Sequence, residues 1–218
     1  MNPTFTSLGE SYPDLLPCLP DVAAAYDLLT TCFSGRGKLL VCGNGGSAAD
    51  AEHIVGELVK AFMLPRPLPA PIRARLEAGH GDAGRYLAAH LQGGLPAIAL
   101  SAHTALATAF ANDVAADLVF AQQVYVYGQP GDVLLALSTS GRSANVLHAL
   151  RTARSRGVRT VGLTGRSGGD MIPLCDVLVR VPFDETPRIQ ERHLPIFHAL
   201  CIAVEAHFFG GPAGQLLT

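Results

Sequence analysis

Tryptophan is absent from this 218-residue chain, and aromatic residues make up only 6% of it. Little material is left for the stacking platforms that grip bases or sugar rings. A basic excess is missing too: 16 Lys and Arg stand against 18 Asp and Glu, for a formal net charge of -2. A protein that holds nucleic acid by bulk electrostatics needs the opposite balance. Charged residues total 16% and apolar ones 49%, which excludes a disordered chain. No apolar run is continuous over the roughly 20 residues of a membrane helix. The most apolar stretch, 194–209, is interrupted by His198, Glu205 and His207. The N-terminal MNPTFTSLGE has neither the positive flank nor the apolar stretch of a secretion signal. Five cysteines, at 18, 32, 42, 175 and 201, are odd in number and contain no CxxC pair. That argues against a disulfide scaffold or a cysteine zinc site. The expectation is a cytoplasmic protein with no membrane and no nucleic-acid partner.

What is present is an alternation. Short runs rich in Val, Leu and Ile occur at 38–42, 96–100, 133–137, 159–163 and 177–181. Their lack of polar alternation predicts strands buried on both faces, as in a parallel sheet. Amphipathic segments such as 47–62 and 143–156 lie between them, so the expected class is α/β, a three-layer doubly wound fold with a five-stranded parallel sheet. An N-terminal helical arm is expected over 13–34, broken by Pro17 and Pro20, and a long helix over 188–209. One segment, 63–94, departs from the rhythm. Pro65, Pro67, Pro69 and Pro71 precede a helical stretch around 72–91, and Gly93 and Gly94 follow. It reads as an insertion within a single domain, 1–218, that borders the pocket.

In such sheets ligands bind at the carboxyl ends of the strands. The first strand runs into Gly43-Asn44-Gly45-Gly46-Ser47 and a helix follows at once. Glycines there allow a tight turn whose amides face an anion, and the helix dipole favours negative charge. The third strand ends in Ser138-Thr139-Ser140-Gly141-Arg142-Ser143, four hydroxyls in six residues. Capping explains one or two of them, and a phosphate site explains the cluster better. No GxxxxGK[ST] occurs, and the loose G-x-G-x-x-A of the first loop lacks its acidic partner about 20 residues on. Two phosphate-cradling loops without a nucleoside signal suit a small sugar phosphate.

His53 and Glu57, four residues apart, share one helix face near the first loop. Gln190, His193 and His198 recur on the last helix. These groups suit either a zinc set of mixed N and O ligands or an acid/base pair. Gln190 and His198 are separated by about 12 Å of helix rise, so Pro195 is expected to bend or break the helix between them.

CGNGGSAADAEHIVGEL, LSTSGRSANV and RIQERHLPIFHAL, in that order, resemble the sugar isomerase (SIS) family, in particular its bacterial phosphoheptose isomerases. The resemblance implies isomerisation of sedoheptulose 7-phosphate to D-glycero-D-manno-heptose 7-phosphate through an enediol, by a homotetramer. It places substrate on Asn44, Gly45, Gly46, Ser47, Asn112, Asp113 and Gln190, and the phosphate on Ser138, Thr139, Ser140 and Ser143. It makes Glu57 and His198 the catalytic pair, and puts one zinc per subunit on His53, Glu57, Gln190 and His198. Family members carry an Arg four residues after the catalytic Glu, where this chain has Ala61 beside Lys60. Arg73, Arg75 and Arg85 are the candidates to replace it. The alternative is a non-catalytic SIS-domain protein that binds a sugar phosphate or a replication-initiation partner; retention of Glu57 and His198 favours the enzyme.

Overall fold

The computed structural model describes residues 2–211. Five strands form one sheet: β1 (Leu39–Cys42), β2 (Ala97–Ala99), β3 (Val133–Ser138), β4 (Arg159–Thr164) and β5 (Val177–Arg180). Their order is β2-β1-β3-β4-β5 and every pairing is parallel. The chain reverses its direction of winding between β1 and β3, and a crevice forms there at the carboxyl ends.

Side chains of successive strand residues enter different cores, as a period of two requires. Leu39, Val41, Val133 and Leu135 pack under α1 (Pro3–Ser11), α2 (Leu19–Ser34), α3 (Gly46–Val59) and the long C-terminal helix (Thr186–Phe209). Leu40, Cys42, Leu134 and Ala136 face the opposite layer. That layer holds the helices Val119–Tyr127 and Ala144–Ser155 and the 3-10 turn Gly169–Leu174. Burial on both faces explains why β1 and β3 show no polar alternation.

The N-terminal arm is longer than expected. Asn2 accepts a hydrogen bond from Thr4 N and Pro3 occupies the first helical position, which starts α1. Pro13–Cys18 is a 3-10 turn leading into α2.

The segment 63–94 is tied at its base, where Gly93 N donates to Arg66 O at 2.7 Å and Pro67 bridges Gln92. Between them α4 (Ala70–His90) is largely exposed and kinks at Gly81 (φ 53°, ψ -127°), a conformation that favours glycine. Two further helices, α5 (Thr104–Phe110) and α6 (Val119–Tyr127), flank a π turn (Ala111–Ala115) and a short 3-10 turn. By length and mean composition, Thr104–Tyr127 is enough to cross a membrane, but Asn112, Asp113 and Asp117 interrupt it, so it is not a continuous apolar run. Extended backbone at Ala115 (φ -163°, ψ 123°) interrupts it as well. An α-helix that spans lipid satisfies its backbone internally, and this break does not. After α7 (Ala144–Ser155), the last helix is α8 (Thr186–Phe209).

Candidate active site

The two loops expected to meet an anion are joined across the crevice. Asn44, after β1, and Asn145, at the start of α7, exchange amide hydrogen bonds of 2.9 and 2.8 Å. Gly45 has φ 57° and ψ -121°, so the turn requires glycine there. Ser47 N and Ala48 N donate to Asn44 O and Gly45 O, each at 3.0 Å, so these amides close the turn itself. Ser47 is buried.

In the second loop, the Ser138 and Ser143 hydroxyls lie 3.0 Å apart. Ser143 stands at the N-cap of α7 yet makes no side-chain cap bond, so capping does not account for its hydroxyl. Arg142 N donates to Ser140 Oγ at 3.2 Å, and Thr139 Oγ1 is 3.4 Å from Thr186 Oγ1. A cleft of about 180 Å³ opens beside this loop, lined by Thr139, Ser140, Arg142, Arg166 and Ser167 among others. Arg166, paired with Asp184 at 3.0 Å, escaped the sequence reading because no helix or strand periodicity marks it.

The reacting groups expected on α3 and α8 meet. His53 Nε2 lies 3.2 Å from Glu57 Oε1 and 3.4 Å from His198 Nε2. Lys60 Nζ donates to Glu57 Oε2 at 2.7 Å, so each carboxylate oxygen has a partner. Glu57 is buried, while His53 remains 40% exposed at its side chain. Phe62 and Phe197 flank the imidazole of His198, with ring centroids at 5.6 and 5.0 Å. Burial, and then the neighbouring His53, hold the His198 imidazole below its ordinary pKa, with Glu57 opposing the shift. His198 is therefore neutral at pH 7 and can present an N–H donor. It also lines a cleft of about 330 Å³ between α1 and α8, bordered by Ser7, Ser11 and Glu191. That α1 builds this wall was not legible in the motifs.

Gln190 takes a separate place. A Cβ built on Gly46 would stand 2.5 Å from Gln190 Nε2, so the side chain lies on the glycine turn. Of the two effects expected at Pro195, the break does not occur: helix α8 runs through it. Ile196, Phe197, Leu200 and Val204 anchor it in the core, and such packing outweighs one lost backbone bond. His193, on the same helix, is fully buried against the sheet side and does not join the cluster. Asn112 and Asp113 lie in the exposed π turn, where Asn112 Nδ2 donates to Asp113 Oδ1 at 2.8 Å.

Two imidazole nitrogens and a carboxylate oxygen are the donor kinds that zinc takes. Among the described residues no three His, Cys, Asp or Glu side chains enclose a common point. The contacts run as a chain through His53, so the set matches zinc in donor kind alone.

The segment 63–94 does not border either of these clefts, contrary to expectation. Arg73 and Arg75 lie exposed on α4, and Arg85 pairs with Asp82 on the same helix. Only the root of the segment reaches the site, through Arg66, whose guanidinium is buried beneath Glu57.

The profile of the SIS domain family matches residues 19–78 and 85–165. This chain belongs to the SIS-domain family. The match leaves out 79–84, which holds the Gly81 kink. The phosphoheptose isomerase of Rhodospirillum rubrum is 43% identical over 188 residues, 86% of each chain. The structure of the phosphoheptose isomerase from Neisseria gonorrhoeae superposes with a TM-score of 0.70 at 35% identity, covering 93% of this SIS chain and 91% of that one. The phosphoheptose isomerase of Francisella tularensis gives 0.70 at 31% identity, with 92% of each chain covered.

Proposed function

We propose that this SIS-domain chain is a cytoplasmic ketose–aldose phosphate isomerase that converts sedoheptulose 7-phosphate to D-glycero-D-manno-heptose 7-phosphate. The observation that carries the reading is the convergence of Glu57, His53 and His198 from two helices, in a chain closely related to phosphoheptose isomerases along most of its length. The five cysteines are all unpaired, which agrees with a reducing compartment.

The hydroxyls of Ser138, Thr139, Ser140 and Ser143 hold the phosphate, and the glycine turn with Gln190 and the Asn112–Asp113 pair orient the sugar. Glu57 Oε1 takes a proton from C1 of the ketose. The electron pair forms the C1–C2 double bond, and O2 receives a proton from neutral His198, giving the 1,2-enediol. Return of the proton to C2, with loss of the O1 proton to the imidazole, forms the C1 aldehyde. Proton count and redox state balance within the substrate. One zinc per subunit is part of the reading: His53, Glu57 and His198 are the side chains that would hold it, while Gln190 stands apart on the glycine turn, and the ion would supply Lewis-acid polarisation of a substrate oxygen. A homotetramer is part of the reading, supported by the exposed apolar side chains of Val114, Tyr125 and Val126.

Incubation with sedoheptulose 7-phosphate, with and without a chelator, tests the proposal. Appearance of the aldose supports it, and an unchanged ketose under metal-replete conditions contradicts it.

A further inference from the structure

We infer that Arg66 and Glu205 form a buried clamp that positions Glu57 against the helix carrying His198. The inference rests on the isomerase reading for what Glu57 does, but the clamp itself is geometric. Both side chains are 0% exposed. Arg66 Nε donates to Glu205 Oε1 at 2.8 Å, Nη1 to Leu58 O at 2.7 Å and Nη2 to Glu57 O at 3.0 Å. The last carbonyls of a helix have no partner within it, and the guanidinium fork takes two of these at the end of α3.

Glu205 is equally occupied. Its Oε1 also accepts from Phe62 N at 2.9 Å, and its Oε2 from Met63 N at 2.8 Å and Leu64 N at 3.2 Å. The turn that follows α3 is thereby fixed to α8, and the same turn carries Phe62, whose ring lies beside His198. Glu205 lies seven residues after His198, two turns along one face of α8. The guanidinium carbon stands 4.7 Å from the centre of the Phe209 ring, which holds the cation from below. A buried ion pair contributes little net stability once desolvation is counted. What this pair supplies is register: the backbone of Glu57 and the helix of His198 are bonded to one guanidinium. Arg66 and Glu205 are positioning residues, since neither reaches the reacting atoms.

Arg66→Lys and Glu205→Gln test the clamp. A lysine carries a point charge that cannot bridge two carbonyls and a carboxylate together. The expected result in a folded variant is a kcat lower by roughly tenfold to a hundredfold, as for a misplaced catalytic group, with KM within about threefold of wild type. The His53 ring ¹⁵N resonances should move at fixed pH, while those of the remote His148 stay in place. If Arg66→Lys does not fold, Glu205→Gln is judged by the same readouts. Unchanged kcat with only a lowered Tm, or unmoved His53 resonances, overturns the clamp. Wild-type inactivity on sedoheptulose 7-phosphate overturns the isomerase reading instead, and the His53 resonances then decide the clamp alone.

Discussion

His198 meets His53 nitrogen to nitrogen at 3.4 Å across 145 residues of sequence. With Glu57 Oε1 3.2 Å beyond His53, the end of the chain is brought to the helix that follows the first strand. Purified protein is therefore expected to hold up to one zinc per chain. His53→Ala, which removes the middle donor, should abolish it. Elemental analysis after metal-replete purification checks this; absence of any divalent transition metal leaves these side chains to acid/base chemistry alone.

His193 makes stability depend on pH. Neither of its ring nitrogens has a hydrogen-bond partner, and burial lowers its pKa to about 4. The Thr164 carbonyl opposes that shift without reaching bonding geometry. The unfolded chain protonates this imidazole near 6.5, so below that pH it binds the extra proton. Stability is then lost as pH falls from about 6.5 to about 4, by roughly 3 kcal/mol from this group. Urea unfolding across that range should show the loss, and His193→Leu should flatten it. Equal slopes in both proteins would assign the pH dependence elsewhere.

The hydroxyl loop is expected to bind phosphate on its own. Replacing Ser138 and Ser140 together by Ala should weaken inorganic phosphate binding, by about 1.5–3 kcal/mol for each charge-assisted bond lost. Calorimetric titration reads the change. A folded double variant with wild-type affinity removes this loop from the site.

Much of this architecture was legible because its causes are local. Five apolar runs without polar alternation specify parallel strands, buried throughout in β1 and β3 and partly exposed in the edge strands β2 and β5. The runs at 133–137 and 177–181 fall on β3 and β5. His53 and Glu57 share a face because four residues make about one helical turn. Long-range packing hid the rest. Nothing in the spacing around Pro195 shows that the core keeps α8 whole. Arg66 sits among prolines in a stretch that reads as an exposed link, yet it is fully buried, because Glu205, 139 residues away, receives it. Arg73, Arg75 and Arg85 do not reach the site within their own chain for the matching reason: α4 stands away from the body, and only its root is tied down.

Isomerisation of sedoheptulose 7-phosphate in D₂O, comparing wild type with Glu57→Gln, tests the central claim most directly. The wild type should form the heptose 7-phosphate with solvent deuterium at C2, because Glu57 exchanges its proton with water between the two transfers. Glu57→Gln should lose roughly 10²–10⁴-fold in kcat, the contribution of a positioned base. Aldose formed at an equal rate by the variant, or no aldose formed by the wild type, would contradict the assignment of Glu57 as the base of an isomerase.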